Sequence, residues 1–228
     1  TVLVTLAAVL FVYAVALPLG ILAAAKAETW VDYTAGFVGY LGLATPNFLL
    51  ALILFYYGNK YFDLPIGGLM DPDLEGEPMS WEKVKSILLH LIVPTFVIGT
   101  SGAAAMMQRL RANMLDELSK PYVETAIAKG MKPSRMLSKY PLRMAFNPFV
   151  ADIGNLLPAM VSGSVLVSVV LGLQPIGPSL LTALKSQDQF LAAFILMFVA
   201  LLTLIGTMIS DLLLVLLDPR IRYGGRET

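Results

Sequence analysis

Apolar residues in this chain do not follow the short periods of a soluble helix or strand. They come in long charge-free runs separated by polar stretches. A helix needs about 20 apolar residues to cross the hydrocarbon core of a bilayer. Five runs reach that length: Thr1 to Ala25, Tyr33 to Asn59, Ser86 to Gln108, Ile153 to Thr182 with some helix upstream of Asp152, and Gln189 to Ser210. They predict spans A to E, at about 1–25, 33–59, 86–108, 146–173 and 189–210. Helices are expected because backbone groups in lipid must be paired within the segment, and the alternation of a membrane barrel is absent. The predicted fold class is all-α: a polytopic membrane protein forming one transmembrane unit over 1–228, with five transmembrane helices in this chain.

Composition agrees with that reading. Of 228 residues, 57% are hydrophobic and 14% charged, where a soluble domain carries about 25% charge. Sixteen Lys and Arg balance sixteen Asp and Glu, so there is no global pull on nucleic acid, and no nucleic-acid partner is expected. The absence of Cys excludes a disulfide framework, a thiolate nucleophile and a Cys-ligated metal, and His90 as the one His excludes a multi-His site. Span A lacks a basic leader and a convincing cleavage site before Lys26, so it reads as a span and not a signal peptide.

The charges that remain set an orientation. The loop between spans C and D (109–143) holds eight Lys or Arg, the tail after span E three, and the A–B connector only Lys26. That makes twelve on one side against four on the other, where the B–C connector is also rich in Asp and Glu. The positive-inside rule places the 109–143 loop and the C-terminus in the cytoplasm. Thr1 then lies outside, and an upstream sixth span is expected to restore a cytoplasmic N-terminus.

The 109–143 loop has helix punctuation. Ser119 is expected as an N-cap, Pro121 in the first turn, Glu124 near the positive end of the helix dipole, and Gly130 as the stop. Tyr122, Val123, Ala126 and Ile127 are expected on one face. Pro133 opens a second helical stretch in which Met136, Leu137, Tyr140 and Met144 share a face. Basic loops are common to polytopic proteins, so charge alone decides nothing here; the residue pattern does.

Glu124-Thr125-Ala126, followed after three residues by Gly130, resembles the Glu-Ala-Ala-x-x-x-Gly signature of ABC importer permeases. The run Tyr122 to Gly130 resembles the dipeptide, oligopeptide and nickel branch, in its B-type subunit. Ala44-Thr45-Pro46-Asn47-Phe48, Leu64-Pro65 before Gly67-Gly68, His90-Leu91-Ile92-Val93-Pro94 and Asp218-Pro219-Arg220-Ile221-Arg222 are similar to other segments of that branch, in order. Two departures stand out: Thr125 replaces the first Ala of the general signature, and its later Ile-x-Leu-Pro appears as Tyr140-Pro141-Leu142-Arg143.

The resemblance implies a type I-like importer permease fold. It implies that Tyr122, Val123, Glu124, Ala126, Ile127 and Gly130 couple to an ATPase, and it offers Pro46, Asn47 and Pro94 as candidates for the translocation path. The implied partners are a second permease subunit (a C-type heteropartner), two ABC ATPase subunits, an extracytoplasmic substrate-binding protein and the bilayer. Cargo in that family is implied to be dipeptides, oligopeptides, oligosaccharides, opines or nickel. No phosphate-cradling loop occurs, so no cofactor is expected in this chain, ATP and Mg²⁺ being held by the partner ATPases. Paired catalytic carboxylates and nucleophile motifs are equally unconvincing; a transporter, not an enzyme, is expected.

Other marked residues carry weaker expectations. His90 invites a proton-relay reading, but no acidic partner is obvious in the spans. Asp152 and Asp211 are read as interfacial carboxylates paired with Arg143 or a tail Arg. Ser164, Ser168 and Gly172 form a small-residue stripe in span D, and Ser179 to Ser186 a short external helix. A stand-alone carrier or channel is the rival; it predicts coupling-ion groups at mid-membrane or internal repeats, and neither is visible.

Overall fold

The computed structural model describes residues 2–62, 64–147, 149–150, 165–173 and 176–217. Its elements are α1 (Val2–Ala25), α2 (Trp30–Ala44), α3 (Asn47–Phe62), a 3-10 turn (Pro72–Leu74), α4 (Trp81–Leu118), α5 (Pro121–Ala128), α6 (Pro133–Lys139), α7 (Pro141–Ala145), α8 (Val165–Val170), α9 (Ile176–Lys185) and α10 (Gln189–Leu217). The described residues contain no strand. Helices α1, α4 and α10 are each long and apolar enough to cross a membrane, and α2 with α3 passes the same test as a bent pair. Most of span D, with Asp152 and Ser164, lies outside the described residues, as does the 218–222 tail motif.

Three expectations change. Span B is not one straight helix: α2 and α3 meet at 93° across Thr45 and Pro46. Proline has no N–H to continue α2, and the Pro46 carbonyl instead accepts from the Leu49 and Leu50 N–H groups that begin α3. Span C extends past Gln108, because Arg109 to Leu118 continue α4 for about three more turns. Charge ended the lipid-compatible stretch there without ending the helix. Gly172 is not on a helical stripe with Ser168; it has φ +61° and closes α8, with Leu173 N–H donating to the Ser168 carbonyl.

The core is a seam between α1 and α4. Ala16, Ala24, Ala103, Met106, Met107, Leu110 and Met114 are buried in it together with Phe149. Small residues allow this approach. A Cβ at Gly99 would collide with the Phe11 ring, and one at Gly20 would lie 3.1 Å from Leu110 Cβ. Phe11 also meets Phe96 edge-on at 5.9 Å.

Helix α2 lies against the same stretch of α4. A Cβ at Gly39 would come within 2.7 Å of Met107 Cε, and one at Gly42 within 3.2 Å of Thr100 Cγ2. A second cluster, Ala51, Val93, Val97, Val167 and Leu171, joins α3, α4 and α8 at the other end of the bundle. There Gly68 N–H donates to the Leu171 carbonyl at 3.1 Å.

The outer surface is that of a lipid-embedded body. On α10, Phe190, Phe194, Met197, Leu204 and Leu212 are each at least 60% exposed, an area that water would penalise heavily. Exposed aromatic rings mark both ends: Trp30 and Tyr33 at the start of α2, and Tyr56, Tyr57, Tyr61 and Trp81 around the α3 to α4 connection. Such rings favour membrane–water interfaces.

Candidate functional site

Helix α5 begins with Pro121 at its first position, where no N–H is needed, and Glu124 lies in its first turn. Its cap is not Ser119. Ser119 ends α4, and its hydroxyl donates to the Asp116 carbonyl at 2.8 Å; Lys120 holds the position before α5. At the other end Gly130 has φ +73°. Its N–H donates to the Ile127 carbonyl at 2.9 Å, and Met131 N–H donates to the Ala126 carbonyl at 3.2 Å. This pair of bonds is a Schellman cap, which needs a left-handed residue. A Cβ at Gly130 would meet nothing within 4 Å. Backbone conformation, and not space, therefore calls for glycine here.

The predicted four-residue face is split. Val123 and Ala126 are buried against Met136, with Leu118, Tyr122, Met131, Leu137 and Tyr140 around them. Ile127 instead points away and is 57% exposed, alongside exposed Glu124 and Thr125. The second helical stretch also breaks, into α6 and α7 at Tyr140. Consequently Met144 leaves the Val123 cluster, while Met136, Leu137 and Tyr140 stay in it.

The end of α4 holds α5 in place. Glu117 accepts from Lys120 Nζ at 2.5 Å and from the Tyr122 hydroxyl. Burial, the bond to Glu117 and the Glu117 charge all push the Tyr122 phenol up from its ordinary value, so it remains a protonated donor. Glu117 was not singled out by sequence; its signal was an acid three residues before a Lys and five before a Tyr at a helix end.

The path candidates lie on two elements, Pro46 and Asn47 at the start of α3 and Pro94 within α4. Pro46 is exposed at the 93° bend, with Asn47 half-buried beside it. Pro94 is buried within α4, between Val93 and Val97 of the second cluster. Its ring leaves the His90 carbonyl without its usual helical donor.

His90 does have an acidic neighbour, supplied by the connector and not by a span. Its Nδ1 donates to the Ser86 carbonyl at 2.8 Å, and its Nε2 lies 3.9 Å from Asp71 Oδ1. Ser86 Oγ donates to Asp71 Oδ2 at 2.6 Å and accepts from Asp71 N–H at 2.8 Å. This arrangement pins the α3 to α4 connector onto α4. Among the described residues it ends on a half-exposed carboxylate, which fits a latch and not a relay. Asp211 is exposed on α10.

Sequence reasoning also missed Asp32. It is 3% exposed at the start of α2 and forms a two-pronged ion pair with Arg111 of α4, Nε to Oδ1 at 2.5 Å and Nη2 to Oδ2 at 2.6 Å. The contact places the α1 to α2 connector and the 109–143 segment at the same end of the bundle, as the charge count requires.

Comparison with known proteins matches this architecture. The profile of the family described as "Binding-protein-dependent transport system inner membrane component" matches residues 16–223. The oligopeptide transport system permease protein AppB of Bacillus subtilis is 32% identical over 98% of this chain and 69% of its own length. YejB, an inner membrane ABC transporter permease protein of Escherichia coli O157:H7, is 32% identical over 95% of this chain and 60% of its own. The dipeptide transport system permease protein DppB of Haemophilus influenzae is 29% identical over 90% and 65%. The chain thus spans roughly two thirds of the length of these relatives. Among solved structures, an inward-facing MetNI methionine ABC transporter chain aligns with a TM-score of 0.67, at 14% identity, over 94% of this chain and 91% of that one, which shows a shared fold. With the α5 segment, the bent α2–α3 pair and the long apolar helices α4 and α10 all inside the matched region, the chain belongs to the family of inner-membrane components of binding-protein-dependent transport systems.

Proposed function

We propose that this chain is one permease subunit of an ATP-driven importer of di- or oligopeptides, and that α5 is its docking helix for an ATPase. The observation that carries this reading is the split face of α5. Val123 and Ala126 anchor the helix, while Ile127 and Glu124 stand exposed on a segment fixed at both ends, by Glu117 and by the Gly130 cap. A short amphipathic helix anchored on one face and fixed at both ends offers its other face to a partner already ordered, which lowers the cost of docking. The peptide cargo follows the names of AppB and DppB.

In this reading the 109–143 segment and the C-terminus are cytoplasmic. Two permease subunits enclose the path, two ATPases sit below and a substrate-binding protein delivers cargo above. ATP and Mg²⁺ are bound by the ATPases. Their closure moves α5 as a rigid body and switches access to the path near Pro46, Asn47 and Pro94.

The test uses the reconstituted complex. Glu124→Arg and Gly130→Pro should leave membrane insertion and binding-protein association intact while ATPase co-purification and peptide uptake fall together. Normal co-purification and uptake in both variants would overturn the docking role of α5.

A further inference from the structure

The Asp32–Arg111 pair joins elements whose roles differ in the importer reading. Arg111 lies on the stretch of α4 that leads to Glu117, which grips Lys120 and Tyr122. Asp32 lies in the first turn of α2, and its Oδ2 also accepts from Glu28 N–H at 3.0 Å. A fork-to-fork ion pair fixes rotation as well as distance. Its desolvation cost makes it a poor source of stability but a good device for register. Beyond the pair, Gly39 and Gly42 seat α2 tightly on Met107 and Thr100 of α4. At the far end of α2 the chain turns through 93° into α3, whose Ala51 belongs to the other cluster.

From this juxtaposition we infer that Asp32 and Arg111 are positioning residues for transport. They form the joint through which movement of α5 and the end of α4 is passed to α2, and so to the bend at Thr45 and Pro46. The inference rests on the importer reading. Without the pair, α2 would be held to α4 by glycine packing and by one long hydrogen bond, from Gln108 Nε2 to the Gly36 carbonyl at 3.4 Å, which resist separation but fix rotation far less than a two-pronged ion pair.

The bend can be watched directly. Because the chain has no Cys, spin labels attached at Phe37→Cys and Phe55→Cys, both exposed positions on α2 and α3, report the distance across it in the assembled complex. The complex is compared without nucleotide and with a non-hydrolysable ATP analogue. In the parent protein the distance should change by several ångströms on nucleotide binding. Asp32→Asn should reduce that change by at least about three-fold while ATPase co-purification and ATP hydrolysis stay within about two-fold of the parent, so that hydrolysis runs uncoupled from the bend.

Arg111→Lys keeps the charge and loses the fork; it should give an intermediate change, and it decides the matter alone if Asp32→Asn does not assemble. A parent-sized change in Arg111→Lys and in any assembled Asp32→Asn would overturn the joint while leaving the importer reading in place. A parent chain that recruits no ATPase would overturn the importer reading, and the joint with it.

Discussion

At the scale of single residues, Gly130 gives the most direct link from sequence to local structure. Its φ of +73° is accessible to glycine and, at some cost, to asparagine, and open space surrounds the missing side chain. Gly130→Ala should therefore destabilise the end of α5 by about 1 kcal/mol through backbone strain alone, with Gly130→Asn costing less. Thermal unfolding of the purified protein, with ATPase co-purification alongside, measures both; equal losses for Ala and Asn would reject strain as the cause. The Gly130 stop was legible because a glycine after an amphipathic run that opens on Pro121 has a local meaning. Asp32 was not, since its partner lies 79 residues away, and a first-turn Asp next to an apolar run reads equally well as a dipole-favouring residue.

Elements add what single positions cannot show. The two faces of α5 predict opposite phenotypes for one chemical change. Val123→Asp buries a carboxylate in an apolar cluster and should lower stability and yield. Ile127→Asp, at a 57% exposed site, should leave thermal unfolding unchanged while ATPase co-purification falls. Matching stability losses in the two variants would mean that Ile127 packs within the fold.

The α1 and α4 seam predicts a steric rescue. Gly99→Val would drive a side chain into the Phe11 ring, which already fills the space a Cβ would take, and should cost about 1–3 kcal/mol as overpacking. Adding Phe11→Ala should recover part of that loss, and additive losses in the double variant would count against direct contact. Hydropathy located these elements well but carries no direction. The run from Tyr33 to Asn59 is free of charge through Thr45-Pro46-Asn47, so hydropathy alone did not separate one crossing from two helices at 93°. The misplaced cap at Ser119 has a similar origin: Arg109 to Leu118 are too polar for lipid, yet they remain good helix formers.

At the scale of the whole molecule, the two ends of the bundle are chemically unlike. One end carries α5, α6 and the Asp32–Arg111 pair; the other carries the acidic connector whose Asp71 is tied to Ser86. A Cys introduced at position 73 should react with an impermeant maleimide on intact cells, and labelling only after permeabilisation would reverse the orientation. The family pattern was legible where its motifs sit at described helix ends, breaks and connectors, as at 44–48, 64–68 and 122–130, because backbone geometry restricts residue choice there; His90 to Pro94, inside α4, was legible by its Pro and its one His. The pairing of those ends was not legible, because it depends on how α2 and α4 pack.

One dimension of this architecture has a mechanical meaning. Helix α4 runs unbroken for 38 residues, about 57 Å at 1.5 Å per residue, so roughly half of it stands outside a 30 Å hydrocarbon layer. A rod of that length pivoting near its middle is a lever: a tilt of about 10° carries each tip about 5 Å, one full helical turn. Small angular changes inside the bilayer and large excursions at the water-facing tips would then be the same motion, seen at different radii.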